Sequence, residues 1–98
     1  SEINLGKYKI NINSRELKLN KVVLKLTEKE VKIINYLNKL SKSVSIDELQ
    51  LEVWGYHSKL ETHTVETHIY RLRKKVLNKF KIENFIISKK DGYQINLN

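Results

Sequence analysis

The chain has 98 residues, 40% of them hydrophobic and 31% charged, which suits one folded domain with one modest core rather than a disordered chain or two independent units. Its formal charge of +8 points to an anionic partner, nucleic acid before a membrane surface. No cysteine occurs, so disulfides, thiolate zinc sites and cysteine nucleophiles are excluded.

No apolar run approaches the ~18 residues of a membrane span. The first ten residues, SEINLGKYKI, lack the charged-then-apolar order of a signal peptide, so a cytoplasmic location is expected. Lysine is a weak witness to function in a chain so rich in Lys, Asn and Ile. Arginine is a better one, because only Arg15, Arg71 and Arg73 occur and two of them lie within one segment, THTVETHIYRLRKKV.

In chain order, YKININ alternates Tyr8, Ile10 and Ile12 with polar residues, ELKL does so with Leu17 and Leu19, and VVLKL with Val22, Leu24 and Leu26. The alternation predicts three short antiparallel strands, turning at Asn13-Ser14-Arg15 and at Asn20-Lys21. The period then changes. Thr27-Glu28-Lys29-Glu30 is a capping box, and the helix it opens carries Val31, Ile34, Leu37 and Leu40 on one face, widened by Ile33 and Tyr36, ending near Ser41 to Ser43. A second box, Ser45-Ile46-Asp47-Glu48, opens a shorter helix with Ile46, Leu49 and Val53 inward, closing at Trp54-Gly55.

After the loop GYHSKLET, Thr62 is placed to cap a third helix running to about Asn78 or Lys79 with no proline or glycine. At about 100° per residue its Val65, Ile69, Leu72 and Val76 form one apolar stripe. The opposite face presents His63, Thr67, Tyr70, Arg71 and Lys74, with His68 and Arg73 at the flanks. From Thr67 to Ile82 there are six Lys and Arg and no acidic residue. Finally, FIISKKDGYQINL sets two apolar-rich runs about an Asp91-Gly92 pair, a hairpin signal, with Lys89 and Lys90 at its tip.

Strands, three helices and a hairpin, with two helices at helix-turn-helix spacing, describe an α+β winged helix-turn-helix. Residues 1–98 form a single domain: N-terminal antiparallel strands over 1–26, a three-helix core over 27–79 and a wing hairpin over 83–98. A B-DNA major groove admits one α-helix whose central side chains meet base edges while flanking cations meet phosphates. The third helix has that layout.

Competing readings are weaker. His57, His63 and His68 lack the i, i+4 pairing of a helical metal site, so no metal is expected, and no cofactor. No glycine-rich phosphate cradle, serine-histidine-acid constellation or carboxylate cluster points to an enzyme. The basic helix has no broad aliphatic exposed face for a membrane. Trp54 is read as packing between the second helix and the sheet, its indole N–H free for a phosphate, and Tyr56 as a loop anchor. The alternative function is a winged-helix protein-interaction module, for dimerisation or RNA polymerase contact, with only non-specific DNA affinity.

The order of LTEKEVKIINYL, SIDELQLEVWG, HTVETHIYRLRKKV and DGYQI resembles the C-terminal effector domain of the OmpR/PhoB family of two-component response regulators, over essentially the whole chain. The resemblance implies a four-stranded N-terminal sheet, a recognition helix in the third position, and double-stranded DNA as partner, at promoter direct repeats bound by a homodimer or tandem pair. It assigns base reading to Arg71, with Thr64, Glu66 and Thr67 near base edges. Phosphate contacts fall to His63, His68, Tyr70, Arg73, Lys74 and Trp54, and the wing uses Lys89, Lys90 and Gln94 on the backbone or in the minor groove. The loop holding Tyr56, His57, Ser58, Lys59 and Glu61 matches a segment that contacts RNA polymerase. An N-terminal receiver domain is implied and lies outside this chain. Tyr70 and His63 stand where the family commonly has arginine, as do Lys89 and Gln94 in the wing.

Overall fold

Four short antiparallel strands open the computed structural model, which describes residues 2–55 and 63–98. They are β1 (Glu2–Leu5), β2 (Tyr8–Asn11), β3 (Glu16–Leu19) and β4 (Val22–Lys25), paired in chain order as a meander. The register sets Ile3, Ile10, Leu17 and Leu24 across one face. The alternation pattern marked three of these strands. β1 escaped it because it is a four-residue edge strand paired only to β2, with Ile3 36% exposed, so its own two apolar residues carry little signal. The same edge effect leaves Val22 of β4 42% exposed although it is in phase with buried Leu24.

Helix α1 (Glu28–Leu40) begins with the complete box: Thr27 Oγ1 accepts from the Glu30 N–H, and Glu30 Oε1 accepts from the Thr27 N–H at 2.8 Å. Its Val31, Ile33, Ile34 and Leu37 are buried, and Ser41 ends it in the left-handed region at φ 54°. The second helix starts as α2 (Ile46–Leu49) but continues with π winding over Gln50–Trp54, where a single α-helix was expected. Leu49 and Val53, four apart, are both buried on the core side. Only half of the second box forms. Ser45 Oγ accepts from the Glu48 N–H, but the Glu48 carboxylate accepts the Tyr36 hydroxyl of α1 instead of reaching back to the cap.

Helix α3 (Thr64–Phe80) takes His63 as its N-cap residue, with no side-chain cap, in place of Thr62, which lies outside the described residues. It runs to Phe80 and stops at Lys81, left-handed at φ 60°. Its stripe is buried as its spacing requires, with Val65, Ile69, Leu72 and Val76 at 0–1% exposure. The stripe packs on β4, α1 and α2. Strands β5 (Ile86–Lys89) and β6 (Gly92–Ile95) form the wing. Phe85, Ile86, Tyr93 and Ile95 join the same core as Leu5 and Tyr8, whose ring meets Phe85 edge-on at 5.2 Å.

The register Lys89↔Gly92 makes Lys90-Asp91 the two-residue loop, so Asp91-Gly92 is not its central pair. Gly92 has φ 154°, and a Cβ there would lie 2.0 Å from the Val44 carbonyl oxygen. The glycine is needed because the connection between α1 and α2 passes against the wing. Val44 and Tyr93 exchange both backbone hydrogen bonds, at 2.7 and 2.8 Å, and Ser43 Oγ donates to Asp91 Oδ1. Among the described residues no helix is long and apolar enough to cross a membrane.

Candidate nucleic-acid interface

With the apolar stripe of α3 fixed inward, the remaining positions sort by angle. His63, Thr67, Tyr70 and Lys74 recur at i, i+4, i+7 and i+11 and make an exposed ridge about 17 Å long at 1.5 Å per residue. Arg71 stands beside it, also exposed, and makes no hydrogen bond or ion pair to any described residue. A five-donor fork with no partner among the described residues is open to an acceptor pair such as the O6 and N7 of guanine. Tyr70 is 57% exposed, and Lys74 Nζ lies 5.4 Å from its ring centroid. At the start of the ridge His63 Nδ1 is 3.2 Å from Glu66 Oε1. Thr64 and Glu66 are half-buried on either side.

The two flanks are each tied to a different part of the fold. On one, His68 Nδ1 bonds the Thr64 carbonyl at 2.9 Å and sets its ring edge-on to Trp54 at 4.9 Å, leaving Nε2 as its remaining polar atom. Trp54 was expected against the sheet. Its ring partners are His68 of α3 and Lys29 of α1, whose ammonium is 5.9 Å from the indole centroid, and the side chain is half-buried against the core. On the same flank Lys75 Nζ lies 2.6 Å from Glu30 Oε1, the oxygen that also serves the α1 cap. Sequence reading placed Glu30 only in its capping box and missed this pair. Its signal was the phase of Lys75, nearer the apolar stripe than the ridge.

On the other flank Arg73 Nη1 donates to the Ile86 carbonyl and to Ser88 Oγ, both at 3.0 Å, with Cζ 5.9 Å from the Tyr93 ring. Burial pushes the Tyr93 phenol up, the Glu66 carboxylate adds to that rise, and Arg73 pulls it down. Lys89 and Lys90 are exposed at the wing tip. Gln94 pairs with Ile87, and by strand alternation shares the outer face of the wing with Lys89, away from Tyr93. Tyr56, His57, Ser58, Lys59 and Glu61 lie outside the described residues.

Residues 20–95 match the family model described as "Transcriptional regulatory protein, C terminal". The chain is 31% identical over 96 residues to the virulence transcriptional regulatory protein PhoP of Salmonella typhi and 32% identical to the transcriptional regulatory protein PhoP of Escherichia coli K12. Each match covers 97% of this chain and 43% of the relative, so the chain spans less than half the length of these curated relatives. Among solved structures it is similar to the DNA-binding domain of E. coli CadC, at TM-score 0.84 and 21% identity, covering 97% of this chain and 91% of that one. It is also similar to the DNA-binding domain of the response regulator AdeR in complex with an intercistronic region, at TM-score 0.80 and 26% identity, covering 96% and 98%. The winged-helix fold, the helix-turn-helix spacing and the family match agree: the chain belongs to the transcriptional regulatory protein C-terminal family, as an effector domain of the OmpR/PhoB type of response regulator.

Proposed function

We propose that this domain binds double-stranded DNA sequence-specifically, as the output domain of a two-component response regulator controlling transcription. The observation that carries the reading is the exposed ridge of α3, with Arg71 beside it, exposed and free of partners among the described residues, and cations on both flanks. Docked in the major groove, Arg71 reads a base, most simply guanine, with Thr64, Glu66 and Thr67 near neighbouring edges. His63, Tyr70 and Lys74, with His68 Nε2 and the Trp54 indole on one flank and Arg73 on the other, face the phosphate walls. Lys89, Lys90 and Gln94 place the wing on the backbone or in the adjacent minor groove. The AdeR domain, 26% identical, is held in complex with an intercistronic region, which supports the same partner here.

The finer expectations extend this reading. Residues 1–98 act as one domain behind a receiver domain in a longer cytoplasmic protein, and pairs of domains occupy promoter direct repeats one helical turn apart. The segment from Tyr56 to Glu61 contacts RNA polymerase. The greater length of both PhoP relatives is in keeping with a further domain.

The test is selection of duplexes from a random library, followed by titration of the best site against salt. Four to six neutralised phosphates give a slope of about −4 to −5 in log K against log salt. A slope near −1, or a library that yields no preferred sequence, sinks the reading.

A further inference from the structure

Arg71 and Arg73 are two residues apart on one helix, which places their side chains about 200° apart around its axis. Only one of them can face the floor of a groove. Arg71 is exposed and unpartnered among the described residues, whereas Arg73 is half-buried and spends Nη1 on two acceptors of β5. Its Nη1 alone donates to both the Ile86 carbonyl and the Ser88 hydroxyl, two residues apart on the strand, and its guanidinium lies over the face of Tyr93 of β6.

A hairpin of two four-residue strands has no stable orientation of its own. Its inner face is seated in the core through Ile86, Tyr93 and Ile95, and its angle to the helices is set further by the polar contacts that grip it. The β6 side is gripped by the paired backbone of Val44 and Tyr93, with Gly92 letting the two chains approach and Ser43 holding Asp91. Polar contact from α3 to β5 is supplied, among the described residues, by Arg73. The first grip fixes the wing to the helix-turn-helix connection and the second fixes it to the recognition helix.

We propose that Arg73 is a positioning residue that locks the wing to the recognition helix through Ile86 and Ser88, so that Lys89 and Lys90 meet the duplex in a fixed register with Arg71. The inference rests on the DNA-binding reading but differs from the phosphate-contact role that the family resemblance gives this arginine. A rigid pair of reading elements loses less freedom on docking than two loosely joined ones, so the wing lysines contribute fully only while the lock holds. Lysine does not replace the arginine, because its ammonium stops about one bond short of Nη1 and brings no planar face to the Tyr93 ring.

The experiment uses Arg73→Lys, Ser88→Val and the double change Lys89→Ala with Lys90→Ala, alone and combined. Without DNA, amide exchange in Arg73→Lys should quicken in β5 and β6 while α1 and α3 keep their protection. On the selected duplex, the double lysine change should weaken binding about tenfold in the parent but about twofold or less in the Arg73→Lys background, because residues acting as one unit are not additive. Ser88→Val keeps every cation and a strand-forming side chain yet removes an acceptor and obstructs the guanidinium, so it should show the same loss of additivity.

A parent that binds no duplex specifically overturns the DNA-binding reading itself. With a binding parent, the lock is overturned if Arg73→Lys and Ser88→Val keep parental exchange in the wing. It is equally overturned if their effects add to those of the lysine changes, since Arg73 would then be a plain phosphate contact.

Discussion

The two flanks of α3 each use a cation, and they use it differently. Lys75 reaches Glu30, whose side chain is only 5% exposed and whose same oxygen closes the α1 cap, so the pair is part of the helical interior. Arg73 reaches a strand of the wing through a carbonyl and an exposed hydroxyl, at the edge of the fold. A cation paired inside the core defends stability, because removing it strands a buried charge. A cation holding two surface elements together defends geometry. Between the flanks runs the exposed ridge with Arg71 beside it, which does neither among the described residues and is left for a partner.

The harshest way to break the wing side is Gly92→Ala. The new Cβ would sit 2.0 Å from a backbone oxygen and 2.5 Å from a backbone carbon of Val44, which cannot swing aside as a side chain could. Parting the wing from that connection sacrifices the paired Val44 and Tyr93 hydrogen bonds, and urea unfolding should show a loss of about 3 kcal/mol. A loss within about 0.5 kcal/mol would mean that the wing is not wedged there.

Lys75→Met tests the other flank at similar side-chain volume. The expected cost is about 2 kcal/mol, below the ~3–5 kcal/mol of a fully enclosed pair, because a third of the lysine side chain is open to solvent. Adding Glu30→Gln should recover part of it by removing the stranded charge. If the single change is neutral in thermal and urea unfolding, the pair is ornamental.

The ridge should respond in the opposite sense. Arg71→Ala should leave unfolding within about 0.5 kcal/mol of the parent. It should weaken the best duplex by ~1–2 kcal/mol and flatten preference at one base position. Even weakening across all sequences would demote Arg71 to a phosphate contact.

The smallest effect lies away from DNA, where Tyr36 of α1 donates to Glu48 of α2. That hydrogen bond, with burial and the charges of Glu48 and Glu52 behind it, pushes the phenol up to about 12. An unfolded chain gives up the same proton near pH 10. The bond's contribution is therefore complete below about pH 10 and is lost as pH rises towards 12, since the unfolded state sheds its proton first. Urea midpoints taken at pH 9 and 11 should fall less in Tyr36→Phe than in the parent, while Tyr8 and Tyr93, both raised by burial, shift the two proteins alike. Equal falls would remove the hydrogen bond from the account.

Much of this architecture was legible along the chain because it is encoded locally. The apolar stripe of α3, its opposed ridge and the complete Thr27 to Glu30 box depend on residues within four positions of one another, and each appears as its spacing requires. The same spacing put Arg73 and His68 on the flanks, where they are found half-buried. What spacing could not supply was the partner across the fold. Glu30 finding Lys75, Trp54 finding His68, and Glu48 leaving its own cap for Tyr36 are choices between acceptors far apart in sequence, made by how α1, α2 and α3 pack. Gly92 is the clearest case. Its neighbour Asp91 made it look like a turn residue, yet its conformation and its lack of a side chain are demanded by Val44, 48 positions earlier. Short-range periodicity determines which face of an element is apolar, because burial repays each buried side chain. Only the packed structure decides which polar groups on the remaining faces are consumed internally and which, like Arg71, stay free to bind.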